Sequence, residues 1–314
     1  MITLADIRDA AARIAPIAKR TPVLTSESFN RQAGVQAFFK CENFQKGGAF
    51  KIRGAANMIF SLTPEQLRNG VVAFSSGNHA QATALAARQV GARAIIAMPT
   101  DAPKSKVEAT RAYGAEIVTY DRLREDRVAI GKRIAAETGG TLVPPFDHPL
   151  IMAGQGTAAL ELLDEVPDLD TVVVCVGGGG LLAGCATATT EVNPGIRVYG
   201  VEPEDANDTF LSVQQDKRVE IAPPQTIADG LRPTMPGEFT FPVIQKCVES
   251  ILLVSDDEIR DCMRFLLSRM KVLVEPSGAV SAAAVLCAKL PPTSKRAGVI
   301  LSGGNVDIEF LRTL

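Results

Sequence analysis

Short runs of apolar, β-branched residues alternate along the chain with longer Ala- and Leu-rich segments that have a helical pattern. The short runs are typical of buried strands, and the longer segments are typical of helices that pack on a sheet. Their alternation predicts an α/β fold with mostly parallel sheets flanked by helices. The predicted strands cover residues 70–74, 93–98, 116–119, 171–176, 197–201, 250–254 and 297–301.

Two helix starts carry clear signals. Ser255 precedes Glu258 by three residues, which is the spacing of a capping box and predicts a helix over residues 256–270. Thr3 is predicted to cap the first helix, which is expected to end near Pro16.

The order of these elements predicts two lobes. Residues 70–147 form a strand–helix cassette that can close as a small, mobile domain, and residues 1–69 with residues 148–314 form the larger domain. The proline-rich segment 144–149 is the expected return crossing. In such a protein, ligands bind in the crevice between the lobes, at the carboxyl ends of the strands.

The composition is that of an ordinary globular protein, because 46% of the 314 residues are hydrophobic and 22% are charged. A formal net charge of −2 argues against nucleic acid and acidic membranes as partners. Charged residues interrupt the N-terminal apolar positions, so a signal peptide is not expected. We therefore expect a cytoplasmic location. Six cysteines without C-x-x-C spacing, together with two histidines, argue against a structural zinc site.

Lys51 has an unusual setting for a lysine. Phe50 and Ile52 flank it, and an apolar, Ala-rich stretch follows. An amine in apolar surroundings loses the solvation of its charged form, so its pKa falls and it can act as a nucleophile or form a Schiff base. A helix-surface lysine beside an aromatic residue is the alternative that this segment leaves open.

A second candidate motif follows the predicted strand at residues 70–74. Ser75, Ser76, Gly77, Asn78 and His79 place hydroxyls, a glycine and backbone N–H groups at the start of a helix. Such a helix N-terminus suits an anion, and in particular a carboxylate. A capped helix start without a ligand is the alternative.

Four consecutive glycines, Gly177, Gly178, Gly179 and Gly180, join another predicted strand to the next helix. Glycine lets the backbone approach a phosphate closely, whereas the spacing fits neither a Rossmann fingerprint nor a Walker A loop. We therefore expect a phosphate site, with a tight turn as the alternative. Ser302 also follows a predicted strand, and its hydroxyl can point into the crevice at a ring nitrogen.

A nucleophilic lysine, a carboxylate cradle, a phosphate cradle and a late serine together suit pyridoxal phosphate bound with an amino acid. With these motifs the chain resembles the serine/threonine dehydratase and serine racemase family of pyridoxal-phosphate enzymes. The resemblance runs from Ala5 to Asn305, and the motifs occur in the family's order. It implies the two-lobed tryptophan-synthase-β-like fold, pyridoxal-phosphate fold type II.

The resemblance implies a role for each motif residue. Lys51 would bind the cofactor covalently and remove the Cα proton of the substrate, while Phe50 packs on the ring. Asn78 would bind the 3′-oxygen of the ring, and Ser302 would face the pyridine nitrogen and leave it largely unprotonated. Glu275 would lie near the ring, the four glycines would hold the phosphate, and residues 75–79 would hold the substrate carboxylate.

The implied activity is α,β-elimination from serine- or threonine-type β-hydroxy amino acids, which gives a 2-oxo acid and ammonia. Ser76 leaves a rival open, because in the family's racemases a serine at this position acts on the face opposite the lysine. Two bases on opposite faces permit inversion at Cα, so serine or aspartate racemase is the alternative. β-Replacement, or a pyridoxal-phosphate protein with a regulatory or carrier role, are further rivals.

Arg127 falls near the position where racemase-like members bind a distal carboxylate, which would admit 3-hydroxyaspartate as a substrate; a surface arginine is the alternative. Residues 202–208 resemble the family's divalent-cation site. There Glu202, the Ala206 carbonyl and Asp208 would bind Mg²⁺, or Ca²⁺ or Mn²⁺, unless the segment is a solvated acidic loop. The resemblance also implies a homodimer. Feedback regulation by a domain beyond Leu314 is not expected.

Overall fold

The computed structural model describes residues 1–102 and 104–314, which fold into two sheets flanked by helices. Within that part of the chain the strands are β1 (Val23–Thr25), β2 (Gln36–Cys41), β3 (Val71–Phe74), β4 (Ala94–Pro99), β5 (Glu116–Tyr120), β6 (Thr141–Leu142), β7 (Thr171–Cys175), β8 (Arg197–Pro203), β9 (Ser250–Val254) and β10 (Arg296–Leu301).

The larger sheet has the strand order β1-β2-β10-β7-β8-β9, and the smaller sheet has the order β5-β4-β3-β6. Neighbouring strands are parallel except for β1 and β2, which are antiparallel. The predicted α/β class with mostly parallel sheets is therefore confirmed. The smaller sheet lies wholly between residues 71 and 142, within the segment 70–147 assigned to the small domain; the motion of that domain stays a prediction.

Helices cover both faces of the sheets and connect the parallel strands. In the described residues they are α1 (Leu4–Ile14), α2 (Glu27–Ala33), α3 (Lys51–Phe60), α4 (Pro64–Asn69), α5 (Asn78–Gln89), α6 (Lys104–Ala112), α7 (Arg127–Thr138), α8 (Pro149–Glu165), α9 (Gly180–Val192), α10 (Asp208–Gln214), α11 (Thr240–Cys247), α12 (Asp256–Phe265), α13 (Pro276–Leu286) and α14 (Ile308–Leu311). None of these helices has the combination of length and apolar character that a bilayer crossing requires.

Both predicted helix starts are confirmed, but the second helix differs from the prediction at its C-terminal end. Thr3 caps α1 through a capping box, and Ser255 caps α12 in the same way with Glu258. The predicted helix over residues 256–270 is α-helical only to Phe265. It continues as one π-helical turn and ends at Lys271, whose φ of 61° is left-handed.

The sequence analysis did not predict β1, β2 or β6. Two of these strands have only two or three residues, which is too short for a periodic pattern. β2 is longer, but a lysine interrupts its apolar run. Lys40 is nevertheless fully buried, because its amine finds acceptors inside the protein.

That lysine belongs to a buried ionic network that ties α3 to β2 and α8. The Arg53 guanidinium donates to both oxygens of Glu42 at 2.7 and 2.8 Å and to both oxygens of Glu161 at 2.7 and 2.9 Å. The Lys40 amine lies 2.6 Å from Glu161 and donates to the Thr21 carbonyl at 2.7 Å. Since every charge has an opposite partner, the network can lie in the interior. It fixes the helix that begins at Lys51.

Candidate active site

The carboxyl ends of strands from both sheets surround one cavity of about 460 Å³. β3 leads into residues 75–79, β7 into the four glycines, and β10 into Ser302, so parallel pairing brings these distant segments together. The predicted cofactor and substrate residues that line the cavity are Phe50, Lys51, Ser75, Ser76, Gly77, Asn78, His79, Arg127, Gly177, Gly178, Gly179, Gly180, Glu275 and Ser302.

Lys51 lies at the first position of α3, with its side chain half-buried in the cavity. Its Nζ donates to the carbonyl of Pro145 at 2.6 Å and lies 5.1 Å from the centre of the Phe50 ring. Burial lowers the pKa of Lys51 from 10.5 to about 8. A useful fraction of the amine is therefore neutral near neutral pH, and a neutral amine is a nucleophile and a base.

The glycine loop presents its backbone to the cavity. A Cβ on Gly178 would lie 2.3 Å from the Phe146 ring, and Gly179 has a left-handed φ of 91°. Side chains are thus excluded at these two positions. The N–H groups of residues 177–182 have no acceptor among the described residues, although residues 178–182 are buried. Buried N–H groups at a helix N-terminus need a partner, and an anion is the partner that fits.

Residues 75–79 form a second, smaller cradle. The Ser75 hydroxyl accepts from the Gly77 N–H, and the N–H groups of Ser76, Asn78 and His79 have no acceptor within the described structure. The His79 imidazole points away to the Val143 carbonyl at 2.9 Å. Burial, and then the Lys51 charge, lower the pKa of His79 to about 3, so the ring is neutral. His79 can thus offer a backbone N–H to a carboxylate but not an imidazolium.

The Asn78 side chain is held from two sides. Its Nδ2 donates to Glu275 at 2.7 Å, and its Oδ1 accepts from Asn305 at 2.9 Å. Burial, and then the charge of Asp229, raise the pKa of Glu275 to about 8. The Ser302 hydroxyl is buried nearby, 3.4 Å from the Ser277 carbonyl. These contacts fix the polar groups along one wall of the cavity.

The predicted cation ligands lie outside this cavity, at the carboxyl end of β8. Glu202 accepts from the N–H groups of Thr209 and Phe210 at 3.1 and 2.9 Å, so it caps α10. Both carboxylate oxygens of Asp208 are buried without a hydrogen bond in the described structure. Burial raises the pKa of Asp208 to about 7, and burial with the Asp208 charge raises that of Glu202. Buried carboxylates in such a setting suit a hard cation such as Mg²⁺.

Comparison with known proteins identifies the family. A family described as pyridoxal-phosphate dependent enzyme matches residues 14–303. The chain belongs to this family of pyridoxal-phosphate dependent enzymes. Serine racemase of Schizosaccharomyces pombe is 50% identical, over 98% of this chain and 95% of its own. L-threo-3-hydroxyaspartate ammonia-lyase of Saccharomyces cerevisiae is 50% identical over 99% and 96%. The structure of maize serine racemase has a TM-score of 0.96 at 45% identity, over 99% and 96%.

These findings confirm the predicted family, the fold type and pyridoxal phosphate as the cofactor of this pyridoxal-phosphate dependent enzyme. The cavity also fits the cofactor on its own geometry. A lysine amine of lowered pKa suits the aldehyde, and the six unpaired N–H groups of residues 177–182 in the described structure suit the phosphate. The individual roles of the site residues stay predictions.

Several cavity residues of this pyridoxal-phosphate dependent enzyme were missed by the sequence analysis. Lys106 on α6 pairs with Asp229 at 2.8 Å, and Arg232 follows on the same segment as Asp229. Tyr120 and Cys175 end β5 and β7. Nothing local marks Lys106, Asp229 or Arg232, since a contact such as Lys106–Asp229 joins residues 123 positions apart. The end of a predicted strand was the one available signal, and it applies only to Tyr120 and Cys175.

The lowered pKa of Lys51 can be tested on the cofactor-free protein. The rate of pyridoxal-phosphate capture should rise about tenfold per pH unit and level off near pH 8, because burial lowers the pKa of Lys51 to about 8, instead of rising towards about pH 10.4 as for a free lysine. Stopped-flow absorbance measures this rate, and acetyl-lysine measured in parallel corrects for ionisation of the cofactor. If the rate kept rising with pH as it does for acetyl-lysine, without levelling off near pH 8, the lowered pKa of Lys51 would be contradicted.

Proposed function

We propose that the protein is an ammonia-lyase that removes the β-hydroxyl of serine, threonine or 3-hydroxyaspartate and releases a 2-oxo acid and ammonia. The observation that carries this proposal is that Lys51 lines the same cavity as two sets of backbone N–H groups. These N–H groups lack acceptors in the described structure. The N–H groups of Ser76, Asn78 and His79 suit the carboxylate of an amino acid, and those of residues 177–182 suit a phosphate. The ammonia-lyase relative supports this activity.

Pyridoxal phosphate, when bound, supplies an electron-withdrawing ring that acidifies the Cα proton of the attached amino acid. We expect Lys51 to bind its aldehyde carbon and the loop from Gly177 to Gly180 to bind its phosphate. Phe50 would pack on the ring. The fixed amide of Asn78 would contact the 3′-oxygen, and the hydroxyl of Ser302 would contact the ring nitrogen.

The chain's own residues would then position the substrate and move protons. The N–H groups of Ser76, Asn78 and His79 hold the carboxylate, which orients the Cα–H bond. The neutral amine of Lys51 takes the Cα proton, and the electrons of that bond form the Cα–Cβ double bond as the Cβ–O bond breaks. The protonated Lys51 amine gives a proton to the departing β-hydroxyl, which leaves as water. The Pro145 carbonyl, 2.6 Å from Nζ, keeps the free amine in the cavity. Water finally adds to the carbon that carries the substrate's nitrogen, and ammonia leaves to give the 2-oxo acid.

A panel of L-serine, L-threonine and L-threo-3-hydroxyaspartate tests the proposed function. Each amino acid is incubated with the purified holoenzyme, and the 2-oxo acid is measured as its phenylhydrazone. We expect release from at least one of them. If none yields a 2-oxo acid while the cofactor is bound, the proposed lyase activity is wrong.

Racemisation is the second candidate, because Ser76 lines the same cavity as Lys51 and a serine racemase is 50% identical. We expect Ser76→Ala to lower any inversion of serine by roughly 10²- to 10⁴-fold, the usual contribution of a positioned acid or base. Elimination should persist, since it needs the base on the Lys51 side alone. Chiral chromatography of the unreacted serine and 2-oxo acid release give the two rates. An equal loss of both would contradict separate roles for the two residues.

We further propose that Glu202, the Ala206 carbonyl and Asp208 bind Mg²⁺, or Ca²⁺ or Mn²⁺. The unpaired buried oxygens of Asp208 within the described structure support this site. Saturating Mg²⁺ should stabilise the protein by about 3–4 kcal/mol at 100 to 1,000 times the dissociation constant, and EDTA should reverse the effect. Differential scanning calorimetry measures the shift.

Asp208→Asn should abolish the stabilisation by Mg²⁺. Asp205→Asn is the matched control, because Asp205 lies in the same acidic segment but is exposed. Should Asp208→Asn respond to Mg²⁺ like the wild type, the site would lie elsewhere. A homodimer is proposed on the family resemblance alone, a cytoplasmic location on the charged N-terminal residues, and a mobile small domain on the order of the strand and helix elements.

A further inference from the structure

The cavity is lined by five cationic side chains, and three of them have partners. Lys106 pairs with Asp229 at 2.8 Å, Arg122 pairs with Asp101 at 2.8 Å, and Lys51 donates to a backbone carbonyl. The other two are arginines, Arg127 and Arg232.

Neither Arg127 nor Arg232 forms an ion pair with a carboxylate of the described residues. The acidic groups beside Arg127 are already engaged, since Asp126 accepts from the Ala129 N–H and Glu125 from the Asp121 N–H. Two guanidinium groups without an ion-pair partner in one cavity keep N–H donors that a carboxylate of a ligand can accept.

The two arginines come from different sides of the cavity. Arg127 is the first residue of α7, which follows β5 of the smaller sheet. Arg232 ends a 3₁₀ turn, Asp229–Leu231, in the segment between β8 and β9 of the larger sheet. A ligand between the two sheets can therefore be approached by both.

Arg232 is exposed, yet its guanidinium has a fixed orientation. Its Nε donates to the Thr226 carbonyl at 3.0 Å, and its Nη2 donates to the same oxygen. One edge of the planar group is thus occupied, while the edge formed by Nη1 and the second Nη2 hydrogen stays available. That edge is the fork that binds a carboxylate in a bidentate manner.

The acceptor that holds Arg232 is itself rigid. Thr226 is buried, its hydroxyl donates to Asp256, and the other Asp256 oxygen accepts from the Ile227 N–H at 2.9 Å. The Thr226 hydroxyl also accepts from the Ala228 N–H at 3.2 Å. A side chain placed in this way loses little conformational entropy when it binds a ligand.

We propose that Arg232 is a specificity-determining residue that binds, opposite Arg127, the distal carboxylate of a dicarboxylic β-hydroxy amino acid. This inference rests on the proposed lyase function and narrows its substrate class. A monocarboxylic substrate such as serine leaves both guanidinium groups in water. A dicarboxylic substrate brings a second carboxylate to the two free arginines. The enzyme thus prefers 3-hydroxyaspartate to serine and threonine.

Steady-state kinetics of Arg232→Gln on L-threo-3-hydroxyaspartate and on L-serine test the inference. We expect kcat/KM for the dicarboxylic substrate to fall roughly 10- to 100-fold, as for loss of a charge-assisted hydrogen bond, and that for serine to change less than about threefold. Arg232→Lys keeps the charge but loses the fork, so it should fall between wild type and Arg232→Gln. Equal changes for both substrates, or none, would overturn the inference.

Arg122→Gln is the matched control, because Arg122 lines the same cavity but is neutralised by Asp101. In Arg122→Gln, the changes in kcat/KM for the two substrates should differ by less than about threefold. If loss of any positive charge in the cavity were enough, Arg122→Gln would instead behave like Arg232→Gln.

Calorimetric titration of the holoenzyme with succinate and with butyrate gives a readout without turnover. Wild type should bind succinate roughly 10-fold or more tightly than butyrate, and Arg232→Gln should lose most of that difference. An unchanged succinate preference in Arg232→Gln overturns the assignment of Arg232. The proposed lyase function is tested by a separate result, because it is wrong if no substrate of the panel yields a 2-oxo acid.

Discussion

Replacing Lys51 with alanine is expected to remove turnover and the visible absorbance of the bound cofactor together. Lys51 is the lysine of the cavity that has no carboxylate partner in the described structure, and its pKa is lowered to about 8 by burial. Loss of a positioned base alone costs roughly 10²- to 10⁴-fold in rate, and loss of covalent attachment adds to that. We therefore expect at least about a 10³-fold fall in 2-oxo acid release.

Two measurements separate chemistry from folding in this experiment. Borohydride reduction of the wild-type holoenzyme should attach the cofactor to the peptide that contains Lys51, which mass spectrometry identifies. Lys46→Ala is the matched control, since Lys46 lies five residues earlier and outside the cavity lining. It should keep both the absorbance and the activity. A Lys51→Ala enzyme with full activity would falsify the proposed mechanism.

Replacing Arg53 with methionine is expected to destabilise the fold by about 3–5 kcal/mol, because it leaves the buried carboxylate of Glu42 without a cation. The Arg53 side chain and its partner Glu42 are fully buried, and Glu161 is 19% exposed. Burial alone would raise the pKa of Glu161, but the Arg53 and Lys40 contacts lower it. Urea unfolding followed by circular dichroism measures the loss.

Arg93→Met is the matched control for this stability experiment. Arg93 pairs with Glu116 at 2.6 Å, but both side chains are more than half exposed. Such surface pairs are screened by water, so the urea midpoint should stay close to that of the wild type. If Arg53→Met also kept its midpoint, the buried network would not hold α3.

The sequence was sufficient to predict the parts of the site that follow strands. Residues 75–79, the four glycines and Ser302 each come directly after a β-branched run, and all of them line the cavity; their chemical roles stay predictions. Parallel pairing then places such loops at one edge of the structure. The fold class followed from the same alternation of strand and helix patterns.

Other features depended on contacts that a pattern does not contain. β2 was missed because Lys40 looks like a surface residue until Glu161 is placed beside it. The imidazole of His79 turns inward to Val143, which is 64 positions away. The sequence analysis did not single out Arg232, since only the tertiary structure brings it to the cavity. In each case the deciding partner is distant in the chain, and local propensity carries no information about it.

The neutral state of His79 has a physiological consequence. His79 has a pKa of about 3, while Lys51 and Glu275 each have a pKa of about 8. Histidine is the side chain that ordinarily changes charge between about pH 5 and pH 7, and here it does not. Mild acidification therefore leaves the His79 ring uncharged, and the charge of the cleft changes instead through Lys51 and Glu275, which lose their remaining neutral amine and ionised carboxylate.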